Sequence, residues 1–259
     1  MNPLVRWFHR LGSPPYFDRF AARWATPLHA LGALAMAYGI WAGLFAVPAD
    51  YQQGDSFRIL YIHVPSAWMS LFAFGLMAVY AAIALVWRIK LVEILAMACA
   101  PIGAAFTVIT LATGSIWGRP MWGTWWDWDP RLTTELLLLF LYLGVIGLYG
   151  AIDDRRQAAR AAGLLAIVGV VLLPVIRYSV VWWNSLHQGQ TIRLFGESSI
   201  DASMLPPLIA MLLGTKLWFF GSLLTRARVD NLRRESAKSW LQEGAPPQRD
   251  LAARPGARA

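Results

Sequence analysis

Apolar residues along this chain gather in long uninterrupted runs rather than at alternate or helical spacing. Six of the runs, at about 27–48, 66–87, 93–113, 132–151, 159–183 and 203–224, reach spanning length. A helix that crosses the hydrocarbon core of a bilayer needs about 20 predominantly apolar residues. Backbone in lipid must bond to itself, which leaves helices or closed barrels, and no alternating strand pattern of the barrel kind separates the runs. The pattern therefore predicts an all-α integral membrane protein of six transmembrane helices. Residues 1–228 read as the membrane domain, and 229–259, rich in arginine, alanine and proline, read as a basic disordered tail.

Composition changes this picture little: 57% of the 259 residues are hydrophobic and 15% are charged. The net charge of +8 would point to nucleic acid in a soluble chain, but here its distribution is the information. Arg6, Arg10, Arg19 and Arg23 precede the first run; Arg88 and Lys90 follow the second; Arg155, Arg156 and Arg160 follow the fourth; eight more basic residues follow the sixth. The opposite connections and helix ends hold only Arg58, Arg119, Arg131, Arg177 and Arg193. By the positive-inside rule both termini are expected on the cytoplasmic side, in agreement with an even number of spans. No nucleic-acid partner is expected, and the first run, starting near residue 27 at full length, reads as an anchor rather than a cleavable signal.

Cys99 is the only cysteine, so the chain has no disulfide, no Cys-x-x-Cys and no covalent haem-attachment motif; it reads as a packing residue. No Gly-x-x-x-x-Gly-Lys-Ser/Thr occurs, and any ATP dependence would come from a partner. Nothing suggests an enzyme.

The chemistry-bearing residues fall in connections predicted to share the outer side. The first ends in Arg58-Ile-Leu-Tyr-Ile-His63-Val-Pro65. The second is Trp117-Gly-Arg-Pro-Met-Trp122-Gly-Thr-Trp125-Trp126-Asp-Trp128, with five tryptophans in twelve residues. The third carries His187 after Trp182-Trp183-Asn184. A belt at headgroup depth also enriches tryptophan, but a belt spreads around both interfaces, whereas this cluster occupies one connection and suits a large, flat, amphipathic ligand. Asp129-Pro130 reads as an N-cap followed by proline at the first position of the fourth helix. Arg131 in that first turn is disfavoured by the helix dipole, which an anionic partner would offset. Two histidines beside an aromatic platform could supply both axial bonds to one haem iron; without cysteine or clustered carboxylates they fit zinc less well. His9 and His29 read as structural, Lys216 as a snorkelling residue, and Glu135 as support for Arg131 or the rim.

Residues 117–133 closely resemble the tryptophan-rich WWD signature of haem-handling proteins in cytochrome c biogenesis. With six spans, Tyr61-Ile-His63-Val-Pro65 and Ser185-Leu186-His187-Gln188-Gly189, the chain resembles the haem exporter protein C (CcmC) family of cytochrome c maturation System I from about residue 15 to 228. The resemblance implies a multi-pass protein of the bacterial inner membrane with a periplasm-facing site for haem b. In that site His63 and His187 would be the iron ligands, and Trp117, Trp122, Trp125, Trp126, Trp128, Asp129 and Arg131 part of the signature that holds the porphyrin; from the residues themselves, Arg58, Arg131 and Arg177 are the candidate partners for its propionates. It further implies delivery to the periplasmic haem chaperone CcmE alongside an ATP-binding subunit, a second membrane subunit and a small single-span subunit. A bis-histidine b-type membrane cytochrome and a solute transporter are the alternative readings of the residues.

Overall fold

The computed structural model describes residues 13–183, 185–187 and 200–236. Six helical stretches are long and apolar enough to cross a membrane: Pro14–Ala46, Asp55–Trp87, Lys90–Trp122, Pro130–Ala151, Arg155–Trp182 and Ala202–Glu235. The protein is a multi-pass helical membrane protein, as the hydropathy pattern predicts.

The helices are α1 (Pro14–Trp41), α2 (Leu60–Trp87), α3 (Lys90–Trp122), α4 (Pro130–Ala151), α5 (Arg155–Gly169), α6 (Leu172–Trp182) and α7 (Leu205–Glu235). α1 lies along α7, and α2 lies along α3. Without a hydrophobic driving force inside lipid, such close pairs depend on small residues that let backbones approach. A Cβ added at Gly32 would lie 2.9 Å from the Gly214 carbonyl oxygen, and one added at Gly214 2.7 Å from the Met36 side chain. α4 packs on α3 and α5, and α7 also meets α2 and α3. The core where α2, α3 and α4 meet includes Phe74, Met77, Ile94, Cys99, Leu138 and Tyr142. The Tyr142 hydroxyl donates to the Ser70 carbonyl at 2.7 Å across this core. Cys99 sits there at 0% exposure, the packing role expected of it.

The helices overrun the hydropathy windows at several ends, because an apolar window measures the lipid-crossing part and not the hydrogen-bonded length. α3 continues to Trp122, so Trp117 and Trp122 are helical and only Trp125, Trp126 and Trp128 lie in the connection. The helix stops at Gly123, whose φ of 80° suits glycine and whose N–H closes on the Arg119 carbonyl. α7 continues past the expected boundary at 228 to Glu235. Its last turns are held by ion pairs, Lys90 with Glu235, Arg234 with Glu93 at 2.7 Å and Arg228 with Asp18 at 2.7 Å. The fifth span is broken between α5 and α6: Pro174 has no N–H to offer the Val170 carbonyl, and Leu173 takes it at 3.0 Å instead. His29 is structural, its Nε2 3.1 Å from Ser222 Oγ between α1 and α7. Lys216 stands 5.1 Å over the Phe72 ring. His9 and the tail beyond 236 lie outside the described residues.

Candidate functional site

At one end of the bundle α2, α3 and α4 part around a cavity of about 730 Å³, part of it open to the surroundings. Each wall follows from helical periodicity. Thr110, Gly114, Trp117 and Met121 recur at three- and four-residue spacing on one face of α3, while Arg131, Leu132 and Glu135 share a face of α4. His63 and Ala67 contribute from the first turns of α2, and His187 closes the cavity from the segment after α6.

His63 belongs to a helix rather than to the connection before it, and it is 7% exposed. Its Nδ1 lies 3.0 Å from Thr113 Oγ1. That hydroxyl has one proton, and it donates backwards to the Ile109 carbonyl at 2.7 Å, with Thr110 at 3.2 Å. The oxygen therefore accepts from Nδ1–H, which leaves the lone pair on Nε2. A Cβ at Gly114 would fall 3.1 Å from His63 Cε1, so glycine is what lets the imidazole lie against α3. The Trp117 ring meets the imidazole edge-on at 5.6 Å, and its own Nε1 donates to Gln53 Oε1 at 3.0 Å. The imidazole is thus constrained on several sides by α3.

The imidazoles of His63 and His187 lie 6.2 Å apart between centroids, their planes inclined by 33°. Trp122 lies 6.4 Å from His187. Asp129 holds the His187 segment in place: one carboxylate oxygen accepts Arg131 N–H at 2.8 Å as the expected N-cap of α4, and the other accepts Leu186 N–H at 2.9 Å. His187 N–H bonds to Ser185 Oγ at 3.1 Å. Deeper in the cavity Glu135, 5% exposed, accepts from Ser70 Oγ at 2.6 Å.

Not every residue singled out from the sequence reaches the cavity. Trp125 and Trp128 are exposed at 58% and 73%, and Trp126 packs on Trp128 at 5.7 Å; all three form an outer group beyond the cavity wall. Arg58 serves the fold instead. Its guanidinium satisfies the Gly43 and Val47 carbonyls at 2.7 and 3.0 Å, where α1 ends in a widened turn, and pairs with Asp55 at 2.9 Å. Arg131 lines the cavity and Arg177 does not. Thr113, Gly114 and Gln53 went unnoticed in the sequence; the only signal was Thr113 and Gly114 preceding Trp117 by one turn.

Fold and site together define a polytopic helical membrane protein whose cavity pairs two imidazoles beside tryptophans. Residues 7–242 match the family model described as heme exporter protein C. The chain is 47% identical over 238 residues to "Heme exporter protein C" of Haemophilus influenzae, covering 92% of this chain and 96% of that one. It is 49% identical over 236 residues to the protein of the same name from Escherichia coli K12, covering 91% and 95%. A "Putative cytochrome c biosynthesis ccmC-like mitochondrial protein" of Marchantia polymorpha is 40% identical over 195 residues, covering 75% and 82%. The chain belongs to the heme exporter protein C family.

Proposed function

We propose that the cavity binds haem b through His63 and His187 at the periplasmic face of the bacterial inner membrane and presents it for cytochrome c maturation. The 6.2 Å between the two imidazole centroids carries this reading. Imidazole nitrogens bind a metal at about 2.0–2.1 Å, and adding the offset from nitrogen to ring centre puts two such rings about 6 Å apart across one metal. The donor set points the same way: among the described residues no three His, Cys, Asp or Glu side chains gather for a bare ion. Two imidazoles suffice for iron that already carries the four nitrogens of a porphyrin. Trp117 and Trp122 stand in its wall beside the histidines, part of the mostly apolar lining with a few convergent polar groups that cofactor sites use.

In this reading the chain's residues hold and release rather than transform. Thr113 would keep the His63 lone pair on Nε2, Trp117 and Trp122 would exclude water from the space beside the histidines, and Arg131 would be the partner for a propionate. The donors of Arg58 are committed to backbone carbonyls, which makes it the weaker candidate. His63 is built into a helix and His187 sits outside one, so His187 would be the ligand more readily exchanged for an acceptor's own. The acceptor is the periplasmic haem chaperone CcmE, and the chain works with an ATP-binding subunit, a second membrane subunit and a small single-span subunit, as its family implies. Orientation is supported by the basic ends of α2, α5 and α7 and the start of α3, which all lie opposite the histidines.

The test is the visible spectrum of detergent-purified wild type beside His63→Ala, His187→Ala and the double variant, oxidised and reduced. A low-spin bis-histidine spectrum that each single variant weakens supports the site. A haem spectrum indifferent to both histidines refutes it.

A further inference from the structure

The end of the bundle opposite the histidines holds a second cleft, of about 410 Å³ with part of it open to the surroundings, between the last turns of α2, the first turns of α3 and the first half of α5. Its floor is apolar and made of small or flexible side chains, Ala81, Ala84, Met97 and Leu164 among them. Its rim carries Arg88, Arg156 and Arg160. All three are exposed, and among the described residues none makes a side-chain hydrogen bond or ion pair. Glu93, the acidic residue of the cleft, is already engaged by Arg234 at 2.7 Å. The start of α5 is capped by its own Asp154, which accepts Gln157 N–H at 2.7 Å. Three positive charges thus surround an apolar cleft, and among the described residues none of them is paired with a carboxylate.

Arg88 adds an observation independent of the charge count. It is the one non-glycine residue with positive φ among the described residues, at 56°, and it ends α2 in the left-handed conformation with its N–H on the Ala84 carbonyl at 2.9 Å. Glycine is the usual occupant of that position because a Cβ strains it. Here the strained position carries a cation at the cleft mouth.

We propose that this cleft binds one anionic phospholipid, its phosphate held by Arg88, Arg156 and Arg160 and an acyl chain lying over Ala84 and Leu164. Guanidinium groups suit phosphate because their planar donors engage two oxygens at once, and basic pockets between helices on the cytoplasmic side are the setting in which anionic headgroups are recognised. An acidic protein segment would meet the charges but has no use for an apolar floor between helices. The arginine spacing alone would follow from the positive-inside rule; the concave apolar floor beneath it does not.

Native mass spectrometry of the full-length protein, reconstituted with phosphatidylglycerol and phosphatidylcholine in equal amounts, tests this. Wild type should retain a single phosphatidylglycerol adduct in preference to phosphatidylcholine. The triple variant Arg88→Gln, Arg156→Gln, Arg160→Gln should lose it by about tenfold or more. A charge-matched control, Arg19→Gln, Arg226→Gln, Arg233→Gln, should keep it within about twofold. Ala84→Phe, which fills the cleft and keeps every charge, should also lose it; Ala84→Leu is read in its place if the phenylalanine variant does not purify as a monodisperse protein. The proposal is overturned if wild type shows no preference, if the cleft and control triples fall equally, or if the filled cleft retains the lipid. The first of these outcomes would leave the three arginines to acidic residues of a protein partner.

Discussion

Thr113→Val removes one acceptor from the site and little else. Valine has nearly the shape of threonine, so no cavity opens, and the lost bond to the Ile109 carbonyl is local to a turn whose helical bonds persist. What changes is the environment of His63 Nδ1–H, now facing a methyl group in a residue 7% exposed. A buried donor left without a partner costs about 1–3 kcal/mol. The imidazole can avoid that cost only by turning away or by moving its proton to Nε2, and either change removes the lone pair from the nitrogen that would bind iron. Loss of a hydrogen bond behind a metal-binding histidine typically weakens metal affinity about 10- to 100-fold, the same size in free energy. Haem titration into the apoprotein, read as the fraction of low-spin spectrum, should therefore show Thr113→Val weakened by about that factor, with Thr113→Ser close to wild type because serine can still accept. If Thr113→Val binds like wild type while His63→Ala does not, the role given to Thr113 is wrong. If His63→Ala also binds like wild type, the ligand assignment itself fails.

Gly103→Ala should be the most damaging small change in the core, since its Cβ would fall 2.1 Å from the Tyr142 hydroxyl; overpacking of this kind costs about 1–3 kcal/mol or more, and the melting temperature in detergent should drop clearly. Asp129→Ala should lose both backbone bonds, lowering stability by about 1 kcal/mol for the cap and loosening the His187 segment, so that haem titration shows weaker binding, with Asp129→Asn intermediate. Arg131→Gln should weaken haem binding while leaving the melting temperature near wild type. Arg58→Gln should do the reverse, because its bonds go to the carbonyls at the end of α1; equal loss of binding in the two variants would contradict the assignment of Arg131 as the anion partner.

How much was legible beforehand differs between the fold and the site. The spans were legible because lipid demands length and apolarity, both local properties of the chain. The N-cap at Asp129 was legible because Asp-Pro states its role in two residues, but its second bond, to Leu186, was not. The tryptophan segment was recognised as one unit, whereas the structure divides it: Trp117 and Trp122 complete α3 beside the histidines, and the other three lie outside the cavity. Hydropathy could not see this division, because α3 keeps its hydrogen bonds beyond the apolar run. Arg58 was a reasonable anion partner as a cation two residues before the helix that carries His63, until the turn after α1 delivered two carbonyls to it.

The sequence by itself determined that this chain crosses a membrane in six spans, that its basic residues gather in alternate connections, and that His63, His187 and the five clustered tryptophans fall in or beside the others. These are one-dimensional properties, set by the solvent each segment must meet. The tertiary structure decided that the His63 and His187 rings lie 6.2 Å apart, that Thr113 Oγ1 sits at hydrogen-bond distance from His63 Nδ1, and that three arginines frame an apolar cleft at the opposite end. Such pairings arise between helices far apart in the chain, and only close packing determines which side chains share a hydrogen bond.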